Sequence, residues 1–275
     1  MVEPSEWEGP VGAKWAQEWR RTDRSFAGLT DRLLGIARTG ALSSVLDIGC
    51  GAGELSLALG RSHPHVEIVG IDISEDLIAA ARSRAAHSPN VRFDIADAAH
   101  WRSDIFRPDL LMSRHGVMFF PEPAAAFGNL CRSAGPAARL IFSCFRSIEE
   151  NPWATGLIEL LPPGMCPPPL SLVPGPFAFA EQDAVMTMLG EAGWSGIEFE
   201  AIDFAYIAGA GNNAVADAKA YFLKIGPAAR AAATMEAADR AAFEQRLEGF
   251  VERHFDGSLV ALLAGAWVVT ARAPT

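Results

Sequence analysis

The chain has 275 residues, half of them hydrophobic and a fifth charged, with a mean hydropathy of +0.15. That is enough apolar content for a full core, and it excludes a disordered or fibrous chain. Acidic residues outnumber basic ones 33 to 23, giving a net charge of −10 and a pI near 5.1, which opposes any partner held through its phosphates and argues against nucleic acid as a substrate.

The first residues, with Glu3, Glu6 and Glu8, carry no signal-peptide pattern. The longest apolar run, Leu259 to Val269, is shorter than the roughly 18–20 residues of a membrane span. Cys50, Cys131, Cys144 and Cys166 are too scattered for a zinc knuckle or a disulfide framework. A reducing, cytoplasmic setting with no membrane partner is the expectation.

In chain order, amphipathic helices are expected over Ala13–Arg21 and Phe26–Arg38. Strands then alternate with helices in the manner of βαβ units: strands at Ser44–Ile48, Glu67–Ile71, Val91–Ile95, Pro108–Ser113 and Arg139–Cys144, helices at Glu54–Arg61, Glu75–Ala86 and Ala124–Ser133. Ser74 is a plausible N-cap, with Glu75 and Asp76 at the positive end of its helix. From Pro152 to Pro176 eight prolines are expected to break any regular element, so this stretch reads as an insertion or lid. A helix over Glu181–Ala192 stops at Gly193, a strand follows at Ile197–Ile207, and the last strand is placed at Ala266–Ala271. Helices at about Asn213–Lys224 and Arg230–Phe255 fill the gap between those two strands, separated by Gly226-Pro227. No internal repeat is visible.

The chemistry-bearing segment is Val45-Leu46-Asp47-Ile48-Gly49-Cys50-Gly51-Ala52-Gly53-Glu54, a strand entering a glycine turn and then a helix. Glycines there permit a tight turn and let a ligand lie against bare backbone. Nineteen residues after Gly53 the next strand ends in Asp72, placed to accept both hydroxyls of a ribose, and the third strand is followed by Asp97, placed to take a bond from an adenine amino group. These features point to an adenosine-containing cofactor. The spacing is G-x-G-x-G rather than the G-x-G-x-x-G of dinucleotide sites, and Glu54 at the helix start would repel a pyrophosphate, so S-adenosylmethionine is favoured over NAD.

The segments Asp47–Gly53, Asp72, Asp97-Ala98 and Asp109–Ser113 resemble the class I S-adenosylmethionine-dependent methyltransferases, well over about 40–146 and elsewhere by strand order. The resemblance implies a doubly wound, mostly parallel seven-stranded α/β sheet of Rossmann-like type with a helical N-terminal cap and helical insertions. It implies one domain over 1–275: a cofactor core at about 40–146, a Pro-rich lid at about 147–180 and a helical insertion at about 208–257. It also implies cofactor contacts at Gly49, Gly51 and Gly53 for the methionine part, Asp72 for ribose and Asp97 for adenine, with Asp47, Ile73, Ala98 and Ser113 as further cofactor-binding residues. The family's usual Pro-Gly-Gly turn before strand five reads Gly135-Pro136-Ala137-Ala138 here.

Arg114 and His115 follow the fourth strand, next to where such a sheet reverses, and so are expected to meet a small-molecule acceptor: His115 as a base near neutral pH, Arg114 as a clamp for a carboxylate. The plainer alternative pairs Arg114 with Glu122 and leaves His115 to cap a turn. Trp7, Trp15, Trp19, Trp153, Phe177 and Phe179 line a substrate cavity or fill core. His63-x-His65 has no third ligand nearby and is read as a solvated loop, so no metal is expected. An oxidoreductase using nicotinamide and a non-catalytic cofactor-binding protein remain as rival readings.

Overall fold

A computed structural model of the chain describes residues 4–165 and 170–275. Cys166 and Pro167–Pro169 lie outside the described residues. Four N-terminal helices, α1 (Pro4–Trp7), α2 (Pro10–Gln17), α3 (Trp19–Ser25) and α4 (Ala27–Ala37), precede the alternating region. That region runs β1 (Ser44–Ile48), α5 (Glu54–Ser62), β2 (Glu67–Asp72), α6 (Glu75–Arg84), β3 (Val91–Ile95), β4 (Leu110–Arg114), α7 (Pro123–Ser133) and β5 (Arg139–Phe145). There follow α8 (Pro152–Glu159), α9 (Gln182–Glu191), β6 (Ser195–Gly209), α10 (Ala214–Phe222), α11 (Pro227–Ala232), α12 (Ala237–Arg253) and β7 (Val260–Arg272).

The seven strands form one sheet in the order β3-β2-β1-β4-β5-β7-β6, with β7 antiparallel to both neighbours and the other pairings parallel. The expected sheet is thus the one observed. Central strands carry apolar runs because helices cover both faces: Leu110, Leu111 and Met112 of β4 are fully buried. Chain order reverses between β1 and β4, which opens a crevice at their carboxyl ends.

Local chemistry sets the ends of the elements. The Ser74 hydroxyl accepts from the Leu77 amide, as expected of an N-cap. Gly193, at φ 95°, closes α9 in a Schellman pattern, with Trp194 N–H donating to the Leu189 carbonyl and Gly193 N–H to that of Gly190.

Three expectations are corrected. The Pro-rich stretch holds a helix, α8, because Pro152 sits at its first turn, where a missing N–H costs nothing. The helix expected over Arg230–Phe255 is two, α11 and α12: the Thr234 hydroxyl takes the Ala231 carbonyl and ends the first. The helix expected over Ala13–Arg21 breaks at Glu18, whose buried carboxylate binds Arg21 and, at 2.5 Å, Lys224.

Candidate active site

The glycine turn after β1 needs its glycines for different reasons. Gly49, Gly51 and Gly53 all have left-handed φ, at 59°, 55° and 83°. A Cβ on Gly49 would lie 2.9 Å from the Gly116 Cα, so two backbones touch there; one on Gly53 would enter the Phe93 ring at 2.6 Å. Gly51 meets nothing within 4 Å and keeps its bare backbone toward open space.

That space is a cavity of about 250 Å³ at the crevice between β1 and β4. Asp47, Gly49, Gly51, Asp72, Ile73, Asp97, Ala98, Arg114 and His115 all line it. Sequence motifs 68 positions apart, from Asp47 to His115, therefore converge on one site.

The carboxylates there are pre-oriented by backbone donors. Asp72 accepts from the Gly51 amide at 2.9 Å on one oxygen and from the Ser74 amide at 3.0 Å on the other, which leaves lone pairs on both for a ligand. Burial raises the Asp72 pKa against the pull of those bonds. Asp47 takes both the hydroxyl (2.6 Å) and the amide (3.2 Å) of Ser56 on one oxygen. Its burial pushes the pKa up to about 6. Asp97 is half exposed and already accepts from the Ala99 amide at 2.8 Å, with His100 Nδ1 2.8 Å from its other oxygen.

Ser113 needs correcting. Expected beside the cofactor, it is fully buried, donates to the Ile48 carbonyl at 2.7 Å and lies outside the cavity wall: it ties β4 to the end of β1.

Arg114 pairs with neither Glu122 nor open space. Its guanidinium donates to Thr30 Oγ1 at 2.7 Å and to Asp23 Oδ1 at 3.0 Å, both on the N-terminal helices. Asp23 in turn faces Arg84, at 3.0 Å, which binds Glu54 at 2.5 Å and stacks on the Trp19 ring 3.7 Å from its centroid. Burial first, and then the Glu54 charge, raise the Asp23 pKa; burial works the same way on Glu54, but bonds from Asp23 and Arg84 outweigh it and lower that pKa. Glu54 is therefore not the unopposed negative charge the sequence suggested, and its argument against a pyrophosphate is weakened; the G-x-G-x-G spacing stands.

His115 has φ 65°, is buried, and sits 4.2 Å from the Phe145 ring centroid and 5.0 Å from that of Phe26. Its Nδ1 is 2.8 Å from Ser143 Oγ, while its buried Nε2 has no partner. Burial, then the Arg114 charge, push its pKa down to about 3. The expected base near neutral pH is thus a neutral imidazole.

Trp7, Trp15, Trp19 and Trp153 line the cavity, while Phe177 and Phe179 are core beneath it. Trp7 Nε1 and Thr22 Oγ1, both on the wall, are buried without partners, as His115 Nε2 is. Sequence reasoning missed Thr22, Asp23, Phe26, Phe145 and Tyr206. The one available signal was Glu54 itself, since a carboxylate in a ligand pocket requires a cation and that cation a second anion.

A methyltransferase-domain family model matches residues 40–193. A trans-aconitate 2-methyltransferase of Methylobacterium nodulans is 32% identical over 146 residues, 53% of this chain and 52% of that protein. A malonyl-[acyl-carrier protein] O-methyltransferase of a Paenibacillus species is 32% identical over 37% of this chain and 38% of its own length. The chain thus spans about half or less of the length of each of these two relatives. Among solved structures, the phosphoethanolamine N-methyltransferase 2 of Haemonchus contortus, in complex with S-adenosyl-L-methionine, superposes with a TM-score of 0.58 at 14% identity, over 100% of this chain and 61% of that one. That match speaks for the fold. With the family model covering more than half of the sequence and the glycine loop, Asp72 and Asp97 on one cavity, the chain belongs to the class I S-adenosylmethionine-dependent methyltransferases.

Proposed function

We propose that the protein transfers a methyl group from S-adenosylmethionine to a small molecule held in the same cavity. One observation carries this reading: Gly49 and Gly51 of the glycine loop and a carboxylate anchored by Gly51 and Ser74 face a single cavity whose wall also presents unpartnered polar atoms, whereas Gly53, expected with them, lies off the wall and packs on Phe93. Gly49 and Gly51 would hold the methionine part, Asp72 and Ile73 the ribose, Asp97 and Ala98 the adenine. The bound cofactor supplies an activated methyl group on its sulfonium. The chain's own part is to hold the acceptor in line with that group and to exclude water, a contribution that needs no strong base. The roof would serve the second: α2 packs its Gly12 against Ser74, and Trp7, Trp15 and Trp19 set apolar rings on the cavity wall. A buried, neutral His115 fits the first, as a hydrogen-bond partner that orients an acceptor.

The test is Asp72→Asn, preferred over Ala because the carboxylate also secures the glycine loop. Loss of charge-assisted bonds to two hydroxyls should weaken S-adenosylmethionine binding by about tenfold to a hundredfold, with a modest fall in the thermal midpoint because the amide oxygen can accept from only one of the Gly51 and Ser74 N–H groups. An unaltered Kd in calorimetry would remove Asp72 from the site.

A further inference from the structure

The end of the cavity away from Asp72 has a chemistry of its own. Phe26, Tyr206, Trp153, Phe145 and His115 form a closed circuit of rings. Their successive centroid distances are 5.4, 5.0, 5.2 and 4.2 Å, with 5.0 Å from His115 back to Phe26, and Tyr206 and Trp153 lie within 7° of parallel. All five are buried and all five line the cavity. Tyr206 spends its hydroxyl on Tyr221, at 3.2 Å, so His115 Nε2 is the polar atom this circuit offers to a ligand. Flat apolar surfaces pack well against such rings.

Charge restricts the occupant further. Among the described residues lining the cavity, Glu8, Asp23, Asp47, Glu54, Asp72 and Asp97 carry carboxyl groups, and Arg114 is the one arginine or lysine. Arg114 is engaged by Asp23 and Thr30. A polyanion entering here would lose its hydration and find no free cation. The imidazole, shared with Ser143 at Nδ1, presents at Nε2 either a lone pair or an N–H, and a hydroxyl can satisfy both because it donates and accepts.

Building on the methyl-transfer reading, we propose that the acceptor is an uncharged, flat, mainly apolar molecule bearing a hydroxyl, seated among Phe26, Phe145, Trp153 and Tyr206 with that hydroxyl on His115 Nε2. The reading excludes di- and tricarboxylates as acceptors for this chain.

The experiment is calorimetry at neutral pH on the intact protein saturated with S-adenosylhomocysteine, using 2-naphthol, 2-methoxynaphthalene and trans-aconitate as probes. The expected order is 2-naphthol tightest, 2-methoxynaphthalene weaker by about fivefold to tenfold for the lost hydrogen bond, and no heat from trans-aconitate. His115→Asn is the variant to use, because asparagine tolerates a left-handed backbone while its shorter side chain withdraws the polar atom. Both probes lose the imidazole ring, but only 2-naphthol loses the hydrogen bond, so the variant should weaken 2-naphthol more than 2-methoxynaphthalene by about the same factor and bring the two affinities together. On the unmutated protein, the His115 Nε2 nitrogen resonance should shift with 2-naphthol and stay still with trans-aconitate. Tighter binding of trans-aconitate than of 2-naphthol, or an Nε2 signal indifferent to 2-naphthol, overturns the inference. Failure of S-adenosylhomocysteine itself to bind strikes the cofactor reading instead, and the 2-naphthol titration of the free protein then still decides this one.

Discussion

Asp47 and His115 are buried ionisable groups pulled in opposite senses, and their effects on stability can be separated by pH. Asp47 titrates near 6 in the folded protein against an ordinary 3.8, so between those values the folded state binds more protons and stability falls as pH rises. His115, at about 3 against 6.5, is protonated only in the unfolded chain between those values, so it makes stability fall as pH drops. In cofactor-free protein, Asp47→Asn should therefore gain stability over the parent on going from about pH 5 to 7.5, by about 1–2 kcal/mol at 1.36 kcal/mol per pKa unit. His115→Asn should shift by a similar amount in the reverse direction. Denaturant unfolding at the two pH values checks both, and parallel curves for parent and variants would contradict the burial account. The positions whose place on the cavity wall was legible in sequence, Gly49, Gly51 and Asp72, are those set by backbone conformation and local spacing. Asp23 and Thr30 were not legible, because their partner Arg114 is more than 80 positions away and nothing in the local sequence records the pairing.

At the scale of elements, the N-terminal helices were recognised as amphipathic, but their position over the cofactor end was not. What places them is a small residue: any Cβ at Gly12 would collide with the Ser74 hydroxyl and the Trp7 carbonyl, so α2 lies directly on the N-terminus of α6. Gly12→Ala should push α2 away, lower stability by about 1–3 kcal/mol and weaken cofactor binding, since Trp7, Trp15 and Trp19 shift with the helix. Calorimetry and a thermal melt test this together; a full-affinity variant with an unchanged melt would mean the roof is adjustable. The proline-rich segment misled for a related reason. Prolines stop helices internally but start them well, and periodicity does not say which role Pro152 takes. The segment is also less a loose lid than its composition suggested: Trp153, Phe177 and Phe179 are core residues, and Asn151 is tied to Gly265 and Trp153 through its amide oxygen. At the turn before β5, Ala137 adopts φ 54° where the family usually has glycine, so the backbone shape persists though the residue does not.

Over the whole molecule, strand order and the reversal between β1 and β4 were readable because each βα unit repeats the same hydrophobic and turn signals. The limits of β7 were not, since a strand from Val260 to Arg272 that pairs with both β5 and β6 takes its length from its partners rather than from its own composition. The sheet brings the glycine loop, the anchored Asp72 and the ring-lined pocket to one crevice, the place proposed above for the cofactor and its acceptor. Because Glu54 is neutralised by Arg84, the choice between S-adenosylmethionine and NAD has to be made by binding rather than by charge alone. Titrating the intact protein in turn with S-adenosylmethionine and with NAD decides it. The account predicts saturable, one-to-one heat with S-adenosylmethionine, abolished by prior saturation with S-adenosylhomocysteine, and none with NAD. Saturable binding of NAD with none of S-adenosylmethionine would contradict it.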